Sequence, residues 1–277
     1  PLSVKLLHTH DGHTTLSHYT GIWRAMEKIP GCITYDKIND PRLAAEAGRA
    51  LGLFHWLLKG LPSEALFETL PNFHNLTLRH NALVNAVPKA APERNNKAQI
   101  ALQFVKKHIE ELLVIDNLIN TKTIPLRVVH NDPKINNILF NQEGEALCMI
   151  DLDTVMAGSL LHDFGDAIRT TCALANEDEP DVSKCGLDLD LLKAYTRGYL
   201  NQTAPMISNL EKTHLSKAPA VLSFTIGIRF LTDYLENDSY YKIQFQEHNL
   251  IRANAQFAQT LFILEHQKQI EEMIRAI

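Results

Sequence analysis

Between His130 and Asp151 the sequence gathers carboxylate, amide, imidazole and ammonium side chains at close spacing. His130, Asp132, Lys134 and Asn137 form the pattern H-x-D-x-K-x-x-N in a polar stretch. A short apolar run, Ile138 to Phe140, follows; then come the turn-rich Asn141-Gln142-Glu143-Gly144 and a second apolar run, Ala146 to Ile150, ending at Asp151. That order predicts a loop, a β-hairpin and a second acidic cluster. Folding the hairpin about Gly144 leaves Asn137 and Asp151 seven residues on either side of it. Opposed positions on antiparallel strands lie about 4.5–5.5 Å apart. An amide oxygen and a carboxylate at that spacing suit Mg²⁺, a hard cation that also takes phosphate oxygens and water. Asp132, in the loop feeding the same end, is placed to accept a proton from an attacking hydroxyl. Asn137 and Asp151 are thus the candidate metal ligands, Asp132 is the candidate base, and Lys134 is placed to meet the transferring phosphate. A polar surface turn can contain any one of these residues; the full loop pattern joined to a hairpin ending in Asp is far harder to obtain without chemistry.

Asp163-Phe164-Gly165 competes with Asp151 for the metal. Asp151 follows Asp132 by nineteen residues, the length of one hairpin, whereas Asp163 follows by thirty-one. The metal is therefore assigned to Asp151, with Asp153 as an outer helper, and Asp163 and Asp166 are expected to cap and pin the helix that starts at Leu160.

The elements that must position these groups read as follows. Val4 to His10 and Thr14 to Met26 are expected strands separated by an Asp11-Gly12 turn. His8, His10 and His13 invite a metal assignment, but the turn splays them and no carboxylate or cysteine completes a site. Asp40-Pro41 opens a helix, with Asp40 as the cap and Pro41 in the first turn. Ala44, Gly48 and Gly52 recur every four residues and give it one smooth face. Lys89 to Asn96 reads as a linker, and Lys97 to Leu118 as one long amphipathic helix. Beyond Asp153 the chain is mainly helical: Leu160 to Asn176, Leu187 to Tyr199, Ala218 to Glu236, and Leu250 to the end. The fold class is α+β, a small β portion followed by a helical portion with an inserted hairpin.

The 277 residues are 45% hydrophobic and 21% charged, as in an ordinary globular protein large enough for one big domain or two lobes. A net charge of −5 gives no electrostatic case for a nucleic-acid or membrane partner. The apolar run Ala218 to Ile228 is too short to span a bilayer. Four cysteines without a C-x-x-C pair point to reduced thiols and a cytoplasmic protein.

The loop HNDPKINNILF and the block IDLDTVMAGSLLHDFGDAIR resemble the aminoglycoside phosphotransferase and choline kinase superfamily, whose fold is protein-kinase-like. Trp23-Arg24, LPNFHNLTLR (70–79), IDLDTVMAG and GIRFLTDYLENDSYY (227–241) are similar to its N-acetylhexosamine 1-kinase branch. The resemblance implies a Mg²⁺/ATP-dependent kinase acting on the anomeric hydroxyl of an N-acetylhexosamine. Glu27, Lys28 and Ile29 would meet adenine at the hinge, and Arg229 and Tyr240 would contact the sugar. Some relatives stack a C-terminal Trp on the sugar; this chain has none after Trp56. The family's glycine-rich strand pair and strand Lys also find no match in the residues before Glu27. The expectation is a truncated small lobe, with residues 1–30 its remnant plus hinge and 31–277 the helical lobe, so activity of these residues by themselves is in question. Two other assignments compete: a non-catalytic, pseudokinase-like binding module, and an aminoglycoside, choline or homoserine kinase using the acidic loop Glu177 to Asp181.

Overall fold

The hairpin forms where the two apolar runs place it, and helices enclose it. The computed structural model describes residues 4–277. In chain order these contain strands β1 (Leu16–His18) and β2 (Gly21–Trp23), then helices α1 (Pro41–Leu58), α2 (Leu76–Ala86), α3 (Pro92–Lys97), α4 (Gln99–Leu112) and α5 (Val114–Asn120). Strands β3 (Arg127–Val129), β4 (Ile138–Phe140), β5 (Ala146–Met149) and β6 (Met156–Gly158) follow. Helices α6 (Leu160–Thr171), α7 (Leu189–Thr203), α8 (Asn209–His214), α9 (Ala218–Leu235), α10 (His248–Glu265) and α11 (Gln267–Arg275) complete the chain. The sheets are antiparallel pairs: β1 with β2, β3 with β6, and β4 with β5. Small sheets among many helices make the fold α+β.

Asp40 caps α1 by accepting the Arg42 N–H at 2.8 Å, which satisfies a donor that the helix cannot pair itself. The small-residue face of α1 lies against α7. A Cβ on Gly48 would stand 2.0 Å from the carbonyl oxygen of Tyr195, and one on Gly198 would stand 1.9 Å from that of Ala45. The two backbones therefore touch. This contact fixes His55, near the end of α1, beneath the loop that follows β3.

Phe164 of the D-F-G triplet is fully buried against Tyr195 and Tyr199, with ring centroids 6.2 and 5.2 Å away. Burying such a ring stabilises the fold by about 1.5–3 kcal/mol. The triplet is thus the inner face of α6, which packs on α9.

Several elements differ from the sequence expectation. Thr14 to Met26 is not one strand: it turns back at Tyr19-Thr20, where Gly21 adopts φ +134°. Lys89 to Asn96 is not a plain linker, because α3 begins at Pro92 and Arg94 reaches Tyr234 O and Asp238, both at 2.6 Å. That tertiary anchor is invisible in local composition. The helix expected from Lys97 to Leu118 is broken at Ala98 and Leu113 without any Pro or Gly to mark it. Strands β3 and β6, three residues each, are too short for periodicity to reveal.

Candidate active site

The loop between β3 and β4 is held from all sides. Asp163 of α6 accepts the N–H groups of His130 and Asn131, each at 2.7 Å. Thr154 Oγ1 donates to His130 O at 2.7 Å, and Asn131 Nδ2 donates to Thr154 O at 2.9 Å. His130 Nε2 faces Ile150 O at 2.9 Å; a carbonyl only accepts, so that nitrogen carries the proton. Its Nδ1 then takes the Asp132 N–H, at a long 3.4 Å. Asn131 adopts φ +65°, uncommon for a residue with a side chain. The hydrogen bonds on both sides of it stabilise that turn, and the turn aims Asp132.

Asp132 is paired with Lys134 at 2.8 Å, both side chains partly exposed. Burial pushes the Asp132 carboxyl above its ordinary value and the nearby Asp166 adds to this, against the lowering effect of Lys134. Burial pulls Lys134 down, but the Asp132 carboxylate outweighs it and the net direction is up. The two partners do not shift as an isolated ion pair would, because the carboxylate is the more buried member and has a second acid beside it. A carboxylate with raised proton affinity is a better base than a solvated one.

Asn137 joins the same group. Its Nδ2 donates to Asp132 O at 2.9 Å, leaving Oδ1 without a partner among the described residues. The register is not the one that symmetry about Gly144 gives. The turn closes earlier than Gly144, with Asn141 N donating to Glu145 O at 2.9 Å, and beyond the irregularity between Leu139 and Phe140 it is Ile150 N that donates to Asn137 O, at 2.8 Å. Asn137 therefore faces Ile150, and Asp151 lies one residue beyond, turned by φ +59°. Asp151 is exposed and makes no hydrogen bond or ion pair among the described residues. Asp153 is held by Arg24 from the strand portion.

Arg229 and Tyr240, eleven residues apart, line one cavity of about 220 Å³ with Arg79, Asp233 and Tyr241. The Arg229 guanidinium lies 5.1 Å from the Phe73 ring centroid and 5.7 Å from that of Tyr241. It has no carboxylate within ion-pair distance among the described residues. Arg79 is held only through Nη2, by Asn72 O at 3.4 Å and Phe73 O at 3.1 Å. Burial and the neighbouring charge of Arg229 lower its pKa. Asp233 is engaged by the Tyr240 and Tyr241 N–H groups and by Asn249, at 2.8, 3.0 and 2.8 Å.

Glu27 and Lys28 are exposed and Ile29 is half-buried. Glu27 N donates to Lys5 O at 2.8 Å, and just downstream Ile33 and Phe140 exchange both backbone hydrogen bonds at 2.9 Å. The segment is thereby fastened to β4, but among the described residues none of the three touches the loop group through a hydrogen bond or ion pair.

The phosphotransferase enzyme family (APH) matches residues 1–201. This chain belongs to that family. Three solved structures are similar. A choline kinase from Cryptosporidium parvum is 18% identical with TM-score 0.55, over 94% of this chain and 74% of that one. An aminoglycoside phosphotransferase from Alicyclobacillus acidocaldarius is 13% identical with TM-score 0.67, over 97% and 78%. An ethanolamine kinase from Plasmodium vivax is 15% identical with TM-score 0.56, over 89% and 67%. The phosphotransferase thus has the protein-kinase-like fold, with an alcohol group as its phosphoryl acceptor.

Some residues of the candidate site of this phosphotransferase carry no local signal in the sequence. Asp163, expected to cap and pin α6, does not cap it: Ser159 is the cap, and Asp163 binds the loop. His55, near the end of α1, sits 2.9 Å from Asp163 Oδ2 and 3.1 Å from the Tyr199 hydroxyl. A His on the small-residue face of α1 and an Asp in the first turn of α6 are the signals that, taken together, would have suggested a buried pair. Among the described residues no helix is long and apolar enough to cross a membrane, and the four cysteines are free.

Proposed function

We propose that this phosphotransferase moves the γ-phosphoryl group of ATP to the anomeric hydroxyl of an N-acetylhexosamine. The observation that carries the sugar assignment is the convergence of two distant stretches, 70–79 and 227–241, on one cavity through Arg79, Arg229 and Tyr240. In this reading Asp132 takes the hydroxyl proton and Lys134 balances charge on the transferring group. Asn137 Oδ1 and the Asp151 carboxylate are free oxygens suited to Mg²⁺. No group of three or more His, Cys, Asp or Glu is arranged for a metal among the described residues. Two protein oxygens completed by phosphate and water are what Mg²⁺ usually accepts, and the ion, when bound, would neutralise phosphate charge. Glu27 to Ile29 would line the adenine end, with residues 1–30 as the small portion plus hinge and 31–277 as the helical portion; the first three residues lie outside the described ones.

One observation weighs against a cationic acceptor held by the acidic loop. The acidic loop is internally neutralised: Glu177 meets Arg169 and Arg252, and Asp181 and Glu179 meet Lys184. The test is phosphate transfer from ATP to GlcNAc, GalNAc, choline and aminoglycosides by the product of the complete gene. Transfer to an N-acetylhexosamine that disappears in Asp132→Asn is the expected result; transfer only to the cationic acceptors refutes it.

A further inference from the structure

We infer that His74 is a positioning residue for the candidate base Asp132, acting through the main chain of Asn131; this rests on the reading of Asp132 as the base. His74 belongs to a strap between the short helical turn at Ser63–Ala65 and α2. Its Nε2 lies 2.8 Å from Asn131 O. Because the carbonyl can only accept, Nε2 is the protonated nitrogen and Nδ1 is bare, buried and unpartnered. Burial lowers the His74 pKa, so the ring remains a neutral, single-donor group. The His162 ring packs 5.5 Å away and is likewise pushed down, to about 3.

The position of this bond gives it leverage. Asn131 is the residue immediately before Asp132 and holds φ +65°. Asp163 fixes the N–H side of Asn131, at 2.7 Å; His74 fixes the carbonyl side, which is the peptide plane leading into Asp132. Without that second hold, the plane joining Asn131 to Asp132 has only the Asp132 N–H···His130 contact at 3.4 Å to orient it. A bond of that length is weak.

The strap also contacts both arginines of the acceptor cavity. Phe73 lies under the Arg229 guanidinium, and Arg79 clasps the carbonyls of Asn72 and Phe73. One short piece of chain therefore touches both the arginines of the acceptor cavity and the peptide that aims the base. Displacing a reacting group by about 1 Å can cost about a hundredfold in rate, so the loss of one main-chain anchor is expected to be felt in kcat.

The experiment compares His74→Leu and His74→Met, which have no donor, with His74→Gln, whose side-chain amide nitrogen reaches about as far as imidazole Nε2. Steady-state kinetics with ATP and the acceptor, and thermal midpoints, are measured for each, with Asp132→Asn alongside. The expected result is a fall in kcat of about 10- to 100-fold in the Leu and Met variants, with KM for ATP within about twofold and kcat largely recovered in His74→Gln. Unchanged kcat in a donor-less variant overturns the inference. So does equal loss in all three His74 variants tracking a lowered thermal midpoint, since that marks a purely structural role. If Asp132→Asn keeps its activity, the base assignment fails first and the inference falls with it, a result separable from the two above.

Discussion

Asp163 Oδ2 accepts the backbone N–H of His130 at 2.7 Å, across thirty-three residues of chain. The same carboxylate takes Asn131 N–H and the buried His55 ring, so one side chain organises the loop that carries the candidate base. Burial pushes this carboxyl up, but the hydrogen bonds and the neighbouring His55 and His130 outweigh it and hold it below the usual carboxylate range.

Asp163→Ala leaves several buried donors without an acceptor. Each buried donor left unsatisfied typically costs about 1–3 kcal/mol, and together these are a large part of a domain's stability. Urea unfolding of the variant against the parent protein measures it, and a midpoint within error of the parent would contradict the organising role.

The same residue sets an acid limit. Its folded-state pKa lies below the ordinary 3.8, so its stabilisation is fully present above that unfolded value and is lost as pH falls through the folded one. Thermal midpoints taken from neutrality down to acid should show a decline beginning near pH 4 that Asp163→Asn, already destabilised, follows less steeply.

For Asp132 the direction is opposite. Its raised proton affinity puts the acid limb of kcat/KM above pH 3.8, and Lys134 is what restrains the rise. Lys134→Met removes that restraint, so the limb should move to higher pH while Asp132→Asn lowers kcat by about 10²–10⁴-fold. A pH–rate profile settles both.

Arg229 is expected to contribute to acceptor binding and not to nucleotide binding. Hydrogen bonds from charged groups contribute about 1.5–3 kcal/mol, so Arg229→Gln should raise the acceptor KM by about 10- to 100-fold with KM for ATP unchanged. Initial-rate kinetics with each substrate varied in turn read the difference.

Gly198→Ala tests the α1–α7 contact. Its Cβ would stand 1.9 Å from Ala45 O, and backbone cannot yield as a side chain does. The crossing must open, at a cost of at least the 1–3 kcal/mol typical of overpacking; denaturant unfolding measures it.

The candidate base, the loop around it and the hairpin were legible because they are local. H-x-D-x-K-x-x-N lies within eight residues, and each apolar run announces its own strand. The Asp40-Pro41 start and the small-residue face of α1 were readable for the same reason: capping and helical spacing are short-range rules. Register was not. The turn closes on Asn141 and Glu145 instead of about Gly144, so even with the irregularity at Leu139/Phe140 Asn137 meets Ile150 and not Asp151, and nothing in the composition of the strands marks either feature.

Only the tertiary structure decided which distant groups meet. Arg79 and Arg229 come to one cavity, Asp163 reaches His130, and His74 reaches Asn131, because helix packing brings α1, α2, α6 and α9 together around the loop. These partners are separated by 33 to 150 residues, and at such separations the pairing is set by the packed core. The chain by itself determined the chemistry on offer; the packing determined its orientation, since positive φ at Asn131 and Asp151 survives only where surrounding bonds enforce it.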